Sequence, residues 1–307
     1  MNTAVLLLIF NRPHLVQRVF DAIRKAKPLK LFVMADGPRT GNPQDIQKCN
    51  AARMIINQVD WECEVKTLFF DENHGCGRAV MEGLNWFFNN VEQGIILEDD
   101  CLPDESFFLF CDDLLNYYKN DPRVMHINGN NFNTKTFTPS SASYHFGSYP
   151  QAWGWASWRR AWKYFDFDIA KWPEIKKKKL LTNMNWSWYE RFIQKKKYND
   201  QYNSNRHDIW DYQWHLAVFS NNGLTIVPKI NLISNIGFGK DATHTKEYRK
   251  SCTEIETGTI KFPLQHPVKL IADKNVDDVY SKIIVGTPAT FIFILRNQIR
   301  NYLRKQK

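Results

Sequence analysis

Short apolar runs alternate with amphipathic stretches through the first 130 residues. Val5 to Phe10 is a continuous apolar run of strand length. Pro13 to Lys27 then sets Leu15, Val16, Val19, Phe20 and Ile23 at helical spacing, with Pro13 at the helix start. The same two-part unit recurs. Leu31 to Ala35 predicts a strand that stops at the turn Asp36-Gly37-Pro38, and Gln44 to Gln58 predicts a helix. Glu64 to Phe70 and Gly94 to Leu97 read as strands around a helix over Gly77 to Asn89. Asp104 is placed to cap a helix running to about Tyr118, and Arg123 to Ile127 is a further strand. Repeated units of this kind predict an α/β fold with a mostly parallel central sheet and helices on both faces. Such folds bind ligands beyond the carboxyl ends of their strands. Asn11-Arg12, Asp36, Asp71 to Asn73 and Glu98 to Asp100 all fall at such ends.

The second half is less regular. Ser143 to Ser148 reads as extended, and Gln151 to Phe165, with Trp153-Gly154-Trp155-Ala156-Ser157-Trp158, as helical. Residues 172 to 206 are polar, basic and aromatic. Ile209 to Phe219 predicts a helix stopped by Asn221-Asn222-Gly223, followed by a strand over Leu224 to Val227. A loop carrying Gly237 and Gly239 leads to Thr243-His244-Thr245. Residues 289–307 set Phe291, Ile292, Leu295, Ile299 and Leu303 on one helical face and basic residues on much of the other. That pattern suits a helix lying on an anionic membrane surface, or one packed on the domain. No linker divides the chain. The expected organisation is a catalytic domain over residues 1–246, with a nucleotide-sugar half to about 130 and an acceptor half from 131. Residues 247–307 are a C-terminal extension.

The sharpest local feature is Glu98-Asp99-Asp100, three carboxylates closing an apolar strand. Adjacent anions repel, so folding alone gives little reason for them, whereas a divalent cation does. Hard cations such as Mg²⁺ or Mn²⁺ take carboxylate oxygens and bridge to phosphates. A metal-bound diphosphate is in turn a good leaving group. The net charge of +9 also suits phosphate-bearing ligands or anionic surfaces, and no nucleic-acid motif accompanies the basic clusters. The chain has 11 Trp and 21 Phe, which serve as core and as platforms for ring-shaped ligands.

Other classes are disfavoured. No Walker loop, GxGxxG, HExxH or GxSxG occurs. The six cysteines show no CxxC spacing, which predicts free thiols in a reducing compartment. Ala4 to Phe10 lacks a basic flank and a cleavage site, and no apolar run reaches the roughly 18 residues that span a bilayer. A cytoplasmic protein is therefore expected, peripheral on the inner face of the cell membrane if residues 289–307 bind lipid.

In order along the chain, Val5 to Arg12, Asp36, Glu98-Asp99-Asp100 with Pro103-Asp104 and Phe107-Phe108, Trp153-Gly154-Trp155, Trp210-Asp211, Ser234 to Gly239 and His244 form a set. This set resembles GT-A fold glycosyltransferases, most closely the N-acetylglucosaminyltransferase I type. The resemblance implies a metal-dependent, inverting transfer of a sugar, GlcNAc or a related hexose, from a UDP-sugar to a hydroxyl of a glycan. The expected cytoplasmic location and basic amphipathic tail add a lipid-linked glycan as acceptor, as in surface polysaccharide or lipopolysaccharide synthesis. The resemblance also implies Asp100 as the direct ligand of Mn²⁺ or Mg²⁺, with Asp99 at the ribose or the metal's waters and Glu98 at the donor sugar or behind the metal ligands. Asp36 then reads the base and Arg12 contacts the nucleotide. Arg12 and Arg78 are candidates for pyrophosphate or base, Arg78 being equally a surface residue of a helix's first turn, and His244 either reaches a phosphate or the metal when its loop closes or is a polar loop residue. Asp211 is the general base, with Asp208 one helical turn away as the alternative. Trp155 and Trp210 stack on the acceptor or pack in the core. Here the family's Trp-Asp-Asp-Trp is Trp210-Asp211-Tyr212-Gln213-Trp214, one residue longer, and the family's Golgi anchor has no counterpart. Both point to a bacterial relative. Two rival classes are a sugar nucleotidyltransferase, for which Asn11-Arg-Pro-His14 is a poor triphosphate loop, and a carbohydrate-binding module, which leaves the triplet unexplained.

Overall fold

The computed structural model describes residues 1–132, 141–182, 184, 186–204, 209–238 and 255–286. Asp208, His207, His244 and residues 289–307 lie outside them.

Strands β1 (Ala4–Ile9), β2 (Lys30–Ala35), β3 (Glu64–Phe69) and β4 (Gln93–Glu98) form one parallel half of an eight-stranded sheet. Helices α1 (Pro13–Ala26), α2 (Pro43–Met54) and α3 (Cys76–Asn90) connect them. The other half holds β6 (Val124–Asn128), β7 (Tyr144–Gly147), β8 (Trp155–Trp158) and β9 (Leu224–Pro228), giving the order β3-β2-β1-β4-β8-β6-β9-β7. Six of the eight strands run one way, with β8 and β7 opposed. This is the mostly parallel, Rossmann-like α/β architecture that the periodicity predicts.

Strand alternation in β1 sorts the molecule into two cores. Val5, Leu7 and Ile9 pack with Val16, Val19, Phe20 and Ile23 of α1 and with Phe107 and Leu114 of α4 (Glu105–Tyr117). Ala4, Leu6 and Leu8 face the other way, against Leu84 and Phe87 of α3 and against Trp155, Trp162, Trp210 and Trp214. Each fully buried Leu of β1 is worth roughly 1.5–3 kcal/mol of transfer free energy. Because β1 is covered on both faces, it reads as an unbroken apolar run. Asp104 caps α4 as expected, accepting from the Ser106 N–H at 2.9 Å.

Two elements differ from the sequence reading. The Trp-rich segment is not a helix. Gly154, at φ +55, turns the chain into strand β8, and only Arg159–Trp162 (α5) is helical. A fully buried strand and a buried helix show the same continuous apolar run, so periodicity could not separate them. A small second sheet pairs β5 (Cys101–Pro103) antiparallel with β10 (Ile233–Asn235), too short for either strand to leave a pattern.

Helices α6 (Trp172–Lys177), α7 (Trp188–Ser204) and α8 (Asp211–Ser220) complete the second half. Residues 255–286 pack back onto it. Ile260 and Leu264 enter the first core, and α9 (Lys274–Ile284) buries Val276 and Tyr280 beside Tyr149 and Phe219. Among the described residues no helix is long and apolar enough to cross a membrane.

Candidate active site

The parallel strands end at a cavity of about 630 Å³. Leu8 to Phe10 and Arg12 reach it from β1, Asp36 and Arg39 from β2, Glu98 to Asp100 from β4, and Gly75 and Cys76 from the start of α3. Trp153, Ile209 to Tyr212, and the segment after β10 with Asn235, Gly237 and Phe238 close the opposite side. The fold thus brings Arg12, Asp36, the acidic triplet, Trp210 and Asp211 to one place, although they are spread over 200 residues.

The triplet is electrostatically crowded. Asp99 is buried, and Asp100 is mostly so. Arg12 binds both, with Nη2 on Asp99 Oδ1 and at 2.9 Å from Asp100 Oδ2, and Nε at 3.3 Å from Asp99 Oδ2. Burial pushes the Asp99 carboxyl up to about 6 even though Arg12 opposes the shift. Burial, then the charges of Asp100 and Asp99, hold Glu98 well above the usual carboxylate range, and Asp211 adds to the effect. A cluster that resists full ionisation is one that gains from an added cation.

The loop after β10 is fitted against Asp100. The Ile236 N–H donates to the Asp100 carbonyl at 2.8 Å, and Asn235 Nδ2 lies 3.5 Å from Asp100 Oδ1. A Cβ on Gly237 would stand 2.2 Å from Asp100 Oδ2, so only glycine lets the chain approach this closely.

Among the described residues no three His, Cys, Asp or Glu side chains gather as a metal-ligand set. The protein would therefore supply one or two carboxylates, Asp100 and Asp99. Mg²⁺ and Mn²⁺ accept such a site, filling the remaining positions with water and substrate phosphate. The hard oxygen donors and the surplus of negative charge fit that group.

Asp36 lines the cavity, but its carboxylate is a bracket. Oδ1 accepts from the N–H groups of Gly37 at 2.8 Å and His74 at 2.9 Å; Oδ2 accepts from Asn73 Nδ2 at 2.9 Å and the Gly75 N–H at 3.2 Å. These four bonds match the number of acceptor positions a carboxylate has. Asp36 thereby ties the ends of β2 and β3 to the start of α3. Arg39, which sequence reasoning passed over, reaches the cavity with its guanidinium over the Phe10 ring at 5.6 Å and its Nη2 on Asp45 at 2.9 Å.

Asp211 begins α8, in the first turn, where the helix dipole favours a negative charge. It interacts with Glu98 and with Lys197. Lys197, also unforeseen, projects from α7 with its ammonium 3.2 Å from the centre of the Tyr212 ring. Burial pulls its pKa down to about 8 while Asp211 opposes the fall. Cys76 faces the same ground, and its thiol is pushed up to about 12 by the surrounding protein and by Glu98, Asp211, Asp36 and Asp100.

Two expected site residues fall elsewhere. Trp155 is fully buried in β8, stacked 5.7 Å from Trp210 and 5.0 Å from His126, and cannot meet an acceptor. The aromatic that reaches the cavity is Trp153, edge to face with Phe238 at 5.7 Å. A turn at Gly154 places the two indoles on different sides of the chain's path, which a Trp-Gly-Trp pattern does not reveal. Arg78 is exposed on α3 and is not among the cavity residues. His244 and Asp208 lie outside the described residues. Trp210, 4% exposed, serves as wall and core at once.

No protein-family model matches the sequence, and no curated protein is similar to it. Among solved structures the chain is similar to a UDP-glucose pyrophosphorylase complexed with UDP-glucose, at 14% identity over 50% of this chain and 64% of that one, with a TM-score of 0.29. It thus spans just under two thirds of that enzyme's length. It is also similar to mouse xyloside xylosyltransferase 1 in its apo form (11% identity, 72% and 82% coverage, TM-score 0.36). A third is the inositol-1-phosphate CTP transferase from T. maritima (10% identity, 74% and 85% coverage, TM-score 0.37). At these identities and scores, the chemistry of the site rests on its own geometry.

Proposed function

We propose that the protein is an enzyme that uses a nucleotide sugar, and that it is a metal-dependent, inverting glycosyltransferase. The observation that carries this reading is one cavity holding two separate acidic functions. An Arg-bound carboxylate cluster lies at the end of β4, and Asp211 stands across from it at the start of α8. The first suits a cation and a diphosphate; the second suits a proton acceptor.

Asp100 and Asp99 would hold Mn²⁺ or Mg²⁺, which when bound neutralises charge developing on a departing nucleoside diphosphate. Arg12 fixes both carboxylates. Asp211 accepts the proton of the acceptor hydroxyl as that oxygen attacks the anomeric carbon and the bond to the diphosphate breaks. A positioned base of this kind contributes roughly 10²–10⁴-fold. Glu98, at the cavity end of β4, would face a hydroxyl of the donor sugar. Trp153, Phe238 and Tyr212 offer ring faces and edges to a glycan or lipid-linked glycan acceptor.

The test is product analysis. The protein is incubated with a panel of UDP-sugars, Mn²⁺ or Mg²⁺ and oligosaccharide acceptors, and released UDP is measured beside pyrophosphate. UDP release that needs acceptor and metal, and is lost in Asp100→Ala, is the expected result. Pyrophosphate release from UTP and a sugar 1-phosphate would instead identify a nucleotidyltransferase. Full-rate transfer by Asp100→Ala with no metal requirement would remove the metal assignment.

A further inference from the structure

Helix α7 is built inside out on one side. Its packed side holds Tyr189, Glu190, Gln194 and Tyr198, all buried, and Lys197 turns inward to Tyr212. Its outer side, at helical spacing, presents Trp188, Phe192, Lys195 and Tyr202, with Lys196 flanking. Trp188 is 74% exposed, Phe192 50% and Tyr202 43%. An outward stripe of large aromatics is not the surface of an ordinary solvated helix, which puts charged groups there.

The stripe is continuous with a basic cluster. The Lys176 ammonium of α6 reaches Asn199 of α7 at 3.3 Å, which brings the exposed Lys176 to Lys179 run alongside it. Six exposed lysines (176 to 179, 195 and 196) stand against two exposed acids, Glu174 and Asp200. Glu174 pairs with Lys178 at 2.6 Å, and Asp200 pairs with Lys196. The excess is positive, and aromatic rings interleave it.

We propose that this α6–α7 face docks the protein on an anionic lipid bilayer. Trp and Phe rings favour the headgroup boundary, where an apolar body is buried and a polar edge stays wet. Lysines beside them gain about fivefold in partition each near an anionic surface, and lose it as salt screens the charge. The proposal rests on α6 and α7 alone, and it does not depend on the glycosyltransferase reading. The inner side of the same helix meets Asp211 and Tyr212, so a bilayer held by α7 lies one helix away from the cavity wall.

The full-length protein is floated with vesicles of phosphatidylcholine alone and with one third phosphatidylglycerol. Binding is expected only to the anionic vesicles, falling steeply with added salt. Trp188→Ala with Phe192→Ala should lower the partition at least tenfold. Lys195→Gln with Lys196→Gln should lower it about 25-fold. Thermal melts confirm that each variant is folded before its partition is read, since Trp188 meets the Tyr189 ring and Lys196 pairs with Asp200. No binding by the full chain overturns the proposal, as does equal binding by the aromatic variant. A concentration-dependent dimer abolished by the same variant would assign the face to a second copy of this chain instead, and binding of a mixed-sequence oligonucleotide with the same losses would assign it to nucleic acid.

Discussion

Asp211 and Glu98 are both acids of one cavity, but their surroundings divide their work. Glu98, half-buried beside Asp99 and Asp100, has its pKa raised well above the usual carboxylate range. Asp211 sits in the first turn of α8, at the positive end of the helix dipole, and interacts with the Lys197 ammonium. Asp211→Asn keeps the shape and removes the proton acceptor. The expected outcome is a fall in kcat of about 10²–10⁴-fold with donor affinity little changed. Steady-state kinetics beside thermal-shift titration of the donor measures both. Unchanged turnover would pass the role to another group, Asp208 first. Asp211 was singled out through the resemblance of Trp210-Asp211 to a known segment, and the structure places it on the cavity wall. Lys197 was not, since its sequence context, three lysines in a row, is that of a solvated face, and only the crossing of α7 over Tyr212 sets it apart.

At the scale of the element, the small β5–β10 sheet decides how Asp100 is held. Pairing of Ser234 with Leu102 carries the chain past the triplet so that Gly237 rests on the Asp100 carboxylate. Gly237→Ala would force either the carboxylate or the loop to move. Loss of such outer support generally costs metal affinity 10- to 100-fold. The Mn²⁺ concentration for half-maximal UDP release should rise by about that factor, with the melting temperature nearly constant. An unaltered metal requirement would mean that the loop does not support Asp100. The long parallel elements of the first half were readable, because a strand buried on both faces and a helix with one apolar stripe leave different periods. Three-residue strands such as β5 and β10 leave none. Strand β8 was mistaken for helix because its four residues are all buried. Of the two readings the Trp-Gly-Trp pattern left open for Trp155, acceptor platform or core, the turn at Gly154 selects core, and Trp153 is the indole that reaches the cavity.

Across the whole molecule, β6, β8 and α8 are joined beneath the site by a buried polar contact whose protonation matters. His126 on β6 lies between Trp155 and Trp214. The Trp214 indole N–H donates to Nδ1 at 3.0 Å, so the ring proton sits on Nε2 and points to the Gln151 carbonyl at 3.1 Å. Burial drives the imidazole pKa down to about 3, against an ordinary value of 6.5. Between these values the unfolded chain binds a proton that the folded chain does not. His126 therefore contributes stability above pH 6.5 that is lost as pH falls toward 3, by about 1.4 kcal/mol per pH unit once well below 6.5. Asp99 and Asp277 oppose it. Burial raises both to about 6, so the folded chain binds their protons more tightly and gains stability as pH falls from 6 toward 3.8. The wild-type curve alone mixes these signs. The difference between wild type and His126→Gln isolates one of them, because the carboxylates are common to both proteins. Urea unfolding at pH 7.5, 6 and 5 should find the variant less stable at pH 7.5, with the gap closing by roughly 1 kcal/mol between pH 6 and 5. A gap that stays constant across this range would show that His126 is not held neutral, and the joint between β6, β8 and α8 would owe nothing to its protonation state.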